Sequence, residues 1–165
     1  MAKMYPVAGS KFYIGDAPMD DQDADFAADD FEAVVWTEVK GWVTMGASGD
    51  AAALVTSDQI GNARTKKAKG TRNAGSMENV FDTVKDDPGQ IALIAAEQTA
   101  NNYPFRIVYN DAPTTGVSPT PSESLFIGLV MSKSRAGGGA NDPRRTNATI
   151  EINSNIVEIP ASTGA

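Results

Sequence analysis

The sequence predicts a mainly β protein with a single helix packed on a sheet, and three observations lead there. Apolar and polar residues alternate with a period of two along several stretches. One stretch alone combines helix-start signals with helical spacing. Segments rich in Gly, Pro, Ser and Thr separate the rest. With 165 residues, 41% hydrophobic and 21% charged, the chain has the size of one domain and the apolar content to build a core.

Taken along the chain, Lys11–Ile14 is expected as a short first strand. Phe31–Met45 reads as the strongest strand, with Val35, Thr37, Val39, Gly41, Val43 and Met45 on one face and Trp36, Glu38, Lys40 and Trp42 on the other. Thr65–Thr71 and Ser76–Val84 are more polar candidates. Tyr103–Tyr109, Ser124–Lys133 and Thr146–Ile159 complete the alternating set. Between them, Asp87-Pro88-Gly89-Gln90 offers an N-cap acid, Pro at the first helical position and Gln at the third. The helix it opens is expected to run to about Asn101, before Pro104, with Ile91, Ile94 and Ala95 as its core-facing stripe and Glu97 outward. Gly46–Ala53, Asp111–Ser122 and Ala136–Pro143 are expected as long loops. The segment Gly46 to Ile60 is expected to be disordered in a lone subunit and to order on assembly, with Gly46, Ser48, Gly49, Asp50 and Leu54 as contact residues.

Two absences narrow the chemistry. The chain has no Cys and no His. Disulfides, thiolate nucleophiles, Ser-His-Asp triads, and most zinc and transition-metal sites are thereby excluded. No dinucleotide fingerprint, P-loop or nucleophile elbow is present. No catalytic residue, metal ligand or cofactor is expected, and the chain reads as a non-enzyme. The longest apolar runs fall far short of the roughly 20 residues of a spanning helix, so no membrane anchor is expected. The N-terminus lacks a secretory h-region, which makes the cytosol the expected place of synthesis.

Charge is distributed in blocks. Net charge is −7; Asp16 to Glu38 holds nine acidic residues and no basic one, whereas Arg64, Lys66, Lys67, Lys69 and Arg72 form a basic block with no acid. Asp21, Asp23, Asp25, Asp29 and Glu32 have the spacing of a calcium loop, but Phe26 stands where the sharp turn needs Gly, so a solvated acidic segment is the better reading. The basic block has no interleaved aromatics for stacking on single strands. It is expected to meet acidic segments of neighbouring copies, Asp20, Asp21, Asp23 and Asp25 being the leading partners.

The order of features then carries a resemblance. A short strand is followed by an acidic loop, Trp36-Thr-Glu-Val-Lys-Gly-Trp-Val43, a flexible loop, and Arg64-Thr-Lys-Lys67. Asp86-Asp-Pro-Gly-Gln-Ile-Ala-Leu93 opens the one helix, and Tyr103-Pro-Phe-Arg-Ile107 precedes two last strands. From about Lys11 to Ile159 this resembles the major tail tube protein of long, non-contractile-tailed bacteriophages.

That resemblance implies a β-sandwich or barrel with one flanking helix, occupying 1–165 as a single domain with flexible arms at 1–10 and 160–165. It implies six copies in a ring, inner strands joined into a ring-wide barrel, and rings stacked into a tube. The partners implied are the chain itself and the tape measure, tail terminator and tail tip proteins. Viral DNA would pass through without specific binding, since six copies at −7 make a ring that repels a polyanion. The place implied is the virion tail, assembled in the host cytoplasm. A tube protein of a secretion or gene-transfer-agent system is the related alternative, and a small acidic binding module the unrelated one.

Overall fold

In the computed structural model, which describes residues 2–164, alternation makes Lys11–Gly15 a strand (β1) with Phe12 and Ile14 fully buried. The following strands are Trp36–Glu38 (β2), Trp42–Thr44 (β3), Ala51–Ser57 (β4), Lys66–Asn73 (β5), Ser76–Asp82 (β6) and Tyr103–Val108 (β7). Glu123–Ala136 (β8), Arg145–Ile152 (β9) and Val157–Ile159 (β10) complete the set, and Pro88–Glu97 is the α-helix (α1). The main sheet is antiparallel with order β2-β1-β7-β8-β9-β6-β3, and β10 pairs with the start of β8 (Val157 opposite Leu125). β4 and β5 pair only with each other.

The sheet curls toward a barrel without β2 and β3 pairing among the described residues, and one short link shows the curl. β2 and β3 lie at opposite ends of the pairing order, yet only Val39, Lys40 and Gly41 join them. Four Cα steps reach about 15 Å at most. A flat seven-stranded sheet would hold its edges about 29 Å apart. The two edges therefore curl toward each other. Val39 N–H donates to the Phe12 carbonyl at 2.8 Å and Asp82 N–H to the Gly41 carbonyl at 2.7 Å, tying the link to both flanking strands. Gly41 makes the crossing at φ +80, and a Cβ there would sit 2.5 Å from the Asp82 carbonyl oxygen. Only glycine suits both demands.

This closure overturns the expectation of one strand over Phe31–Met45. Ala28–Phe31 is a 3-10 turn, and the rest is two short strands broken at Gly41. The two tryptophans, expected on one face, lie in different clusters. Trp42 packs on Phe12 inside the barrel (ring centroids 5.2 Å apart), whereas Trp36 packs on Phe31 outside it (6.5 Å). The expected strand Thr146–Ile159 is likewise two strands, separated at Asn153–Ile156.

The interior is aromatic. Phe12, Phe81, Phe105 and Phe126 are all essentially inaccessible, and Phe12 touches Phe81, Phe105 and Trp42. The first half of β8 is buried on both faces: Phe126 and Val130 point into this core, while Leu125 and Ile127 face a second cluster with Phe26 and Phe31. The segment preceding β2 thus drapes over the outside of the sheet as a partial second layer.

The helix starts where the sequence predicts, with a different side inward. Asp87 is the N-cap, its carboxylate accepting Gln90 N–H at 3.0 Å, and Pro88 follows. Gln90 does not close a capping box. Its amide instead donates to the Lys40 and Asp82 carbonyls (2.7 and 2.8 Å) and accepts Val84 N–H. Gly89 lies so close to β2 that a Cβ would collide with the Glu38 carbonyl. These contacts turn Gly89, Gln90, Leu93 and Ala96 toward the barrel. The stripe expected as core is therefore displaced: Ile91 is 55% exposed, Ala95 is exposed, and Ile94 is half-buried. Glu97, expected outward, is half-buried, and the helix ends there with Gln98 as C-cap rather than continuing to Asn101. Gln90→Ala strips three hydrogen bonds from one buried amide and leaves backbone groups unpaired. Its expected cost is about 2–4 kcal/mol in urea unfolding, against under about 1 for the exposed Gln98→Ala.

Candidate assembly surfaces

The segment expected as a disordered loop, Gly46–Ile60, contains a strand. Val55 and Thr56 favour extended backbone, and β4 pairs with β5 in antiparallel register (Leu54 opposite Lys69, Thr56 opposite Lys67), with a shift between Ala52 and Leu54. The result is a two-stranded arm whose residues are nearly all exposed, including Leu54 at 67% and Ile60 at its turn. A two-stranded ribbon without a packed face is marginal alone. Of the five contact residues read from sequence, Gly46 is fixed to the body: its N–H donates to Asn79 at 3.0 Å, and a Cβ would strike the Glu78 backbone. Ser48 is exposed, and Gly49 has open space around it.

The basic block lies on this arm. Lys66, Lys67 and Lys69 are exposed on β5, and Arg64 is in the turn before it. Arg72 differs, since its guanidinium pairs with Asp50 at 2.6 Å within the same chain. Arg72, Asp50 and Asp25 line one cleft of about 630 Å³, together with Asn153 and Asn155.

The acidic segment is strapped down at both ends. Met19 N–H donates to the Asn102 carbonyl at 2.9 Å. Phe26, buried in the second cluster, exchanges two hydrogen bonds with the Asn155 side chain (2.7 and 3.0 Å). Asn102 and Asn153 are themselves joined at 3.1 Å. Between these anchors Asp20, Asp21, Asp23 and Asp25 are all exposed. Phe26 is thus an anchor, which accounts for its presence where a calcium loop would carry Gly. Near the C-terminus, Ser162 pairs with Thr120 across the 111–122 loop. At that loop's base, the Ser122 hydroxyl and N–H donate to Asp111 (2.5 and 2.7 Å), holding its carboxyl below the usual carboxylate pKa.

Two features escaped the sequence reading. One is an open sheet edge. β7 pairs with β8 only as far as Gly128, so Leu129–Ala136 has a partner strand, β9, on one side alone among the described residues. The other is a cleft of about 390 Å³ between α1 and the β8–β9 end, lined by Lys85, Lys133, Arg135 and Arg144 with Ile91 and Ile94. Its cations are scattered from position 85 to 144, so no local pattern announces them.

This curled antiparallel sheet with one flanking helix, an outer layer and a two-stranded arm shares its fold with solved tail tube and injection-system tube proteins. The SPP1 tail tube superposes with a TM-score of 0.65 at 15% identity, over 94% of this chain and 80% of that one. The sheath/tube terminator of an extracellular contractile injection system, PVC, gives 0.67 at 9% identity, over 96% and 98%. The PVC sheath–tube complex gives 0.61 at 10% identity, over 95% and 92%. No family model matches the sequence, and no curated protein does.

Proposed function

We propose that this chain is the structural subunit of a phage tail tube: six copies form a ring, rings stack, and the resulting conduit delivers the genome. The observation that carries the reading is the open edge of β8 in a barrel that shares the tail tube fold. A long unpaired edge invites pairing with another chain, and pairing around a ring gives the ring-wide barrel. The arm bearing Leu54, Arg64, Lys66, Lys67 and Lys69, with Ser48, Gly49 and Asp50 at its base, reaches a neighbouring copy. Asp20, Asp21, Asp23 and Asp25 supply acidic contacts. In this reading residues 1–165 are one domain, with 1–10 and 160–165 as arms (positions 1 and 165 lie outside the described residues). The partners are further copies and the tape measure, terminator and tip proteins; DNA passes without specific binding. The role is structural rather than enzymatic, in a virion tail assembled in the host cytoplasm.

The likeness to the PVC proteins supports a second reading, a tube subunit of a contractile injection system. Electron microscopy of the purified protein tests both, since both require rings or tubes. Replacing residues 51–73 with a short Gly-Ser linker should leave the barrel folded, with its melting temperature within a few degrees, because the arm pairs only with itself. Tube yield should fall by about tenfold or more, the loss of roughly 1.4 kcal/mol or more per contact. Normal tubes from that variant would remove the arm from assembly.

A further inference from the structure

We propose that the cleft between α1 and the β8–β9 end receives the strapped acidic segment Asp20–Asp25 of a second copy, as a head-to-tail contact. The proposal rests on the reading of the chain as a self-assembling subunit and names one contact within it.

Four cations line the cleft: Lys85, Lys133, Arg135 and Arg144. No carboxylate lines it among the described residues. Asp82, next in sequence to Thr83 on its wall, is already paired with Arg145 at 3.1 Å. Ile91 and Ile94 add an apolar side, and Ile91 is more than half exposed. A concave surface with unpaired positive charge and exposed apolar groups fits an extended acidic segment better than it fits water.

The occupant is on the same chain. Asp20, Asp21, Asp23 and Asp25 stand exposed on a segment tied at Met19 and Phe26, so little ordering cost attends its docking. It cannot fold into its own cleft. The segment is tied beside Asn153 and Asn155, just past the end of β9, whereas the cleft holds Arg144 and Thr146 at the start of that strand. Seven residue steps along β9 separate the two sites by about 24 Å. Complementary patches at opposite ends of one subunit make a heterologous contact, which either closes into a ring or propagates. The arm also offers cations, but Lys66, Lys67 and Lys69 stand on an exposed ribbon, and Arg72, in the cleft at the arm's base, is already paired with Asp50.

The test is charge reversal with complementation, read by sedimentation velocity and negative-stain microscopy of the full chain. Asp21→Lys/Asp23→Lys and, separately, Arg135→Glu/Arg144→Glu change exposed residues only, and each should melt within a few degrees of wild type. Each should lower assembled protein about tenfold or more, since mispaired charge at an interface opposes docking. Mixing the two variants should restore assembly, because each then meets its complement, and so should combining all four changes in one chain. Failure of both rescues while wild type assembles would overturn the contact. So would rescue of Asp21→Lys/Asp23→Lys by Lys66→Glu/Lys67→Glu instead, which reassigns the acidic segment to the arm and leaves the tube reading intact. A wild-type chain that stays monomeric under all salt conditions would overturn the tube reading itself, and the contact with it.

Discussion

Replacing Phe12 with alanine is expected to lower the unfolding free energy by about 3–5 kcal/mol, much of a domain's net stability of about 5–15. Phe12 is fully buried, and its ring lies 5.2, 5.9 and 5.6 Å from those of Trp42, Phe81 and Phe105. These partners come from β3, β6 and β7, so the ring spans strands from both sides of the closure. Its own carbonyl accepts the Val39 N–H that begins the crossing. The truncation therefore opens a cavity where the barrel's two edges meet, and the surrounding strands have little freedom to collapse into it. Urea denaturation followed by tryptophan fluorescence measures the loss. Trp42 is close enough to report it locally. A drop of under about 1 kcal/mol would mean the closure does not depend on this aromatic contact.

The strand content and the helix start were legible because both depend on short-range physics. Alternation fixes which residues of β1, β7 and β9 face inward, and Asp87-Pro88 fixes where a helix begins. Barrel closure was not legible, because alternation continues across Gly41 even though the chain leaves one sheet edge and joins the other. Nothing local distinguishes Val39-Lys40-Gly41 from the interior of a strand except one glycine. The strand β4 was hidden for the opposite reason: Ala51–Ser57 buries no face, so it lacks the period-two signal and is held by pairing with β5.

For the candidate surfaces, the charge blocks could be read and their settings could not. That Asp20–Asp25 is exposed follows from composition; that it is strapped through Asn102, Asn153 and Asn155 requires residues more than 75 positions away. The basic cleft and the open edge of β8 are products of topology. Charge alone singled out the arm, whose lysines stand on an exposed ribbon.

The helix gives the sharpest contrast between pattern and packing. Six of the seven residues Ile91–Glu97 are apolar, so the sequence offers no unique stripe, and the side facing inward is chosen by Gln90 and Gly89 against the Glu38–Asp82 region. Leu93→Asp is accordingly expected to unfold the subunit or prevent its accumulation. Leu93 is 4% exposed in the main core, and a carboxylate there loses about 2–3 kcal/mol of apolar burial and must also be desolvated among apolar side chains. The combined cost is about 5 kcal/mol or more, comparable to the whole stability of a small domain. Ile91→Asp, two residues earlier, is expected to cost under about 1 kcal/mol, since the side chain is exposed and an acid in the first turns suits the helix dipole. Its effect should fall on assembly, because it places a negative charge on the wall of a cleft proposed to take an acidic segment. Thermal melts give the first comparison and sedimentation the second. If Leu93→Asp were as stable as wild type, the helix would lie rotated toward the Ile91–Ile94–Ala95 stripe, and the packing of α1 on β8 would have to be redrawn.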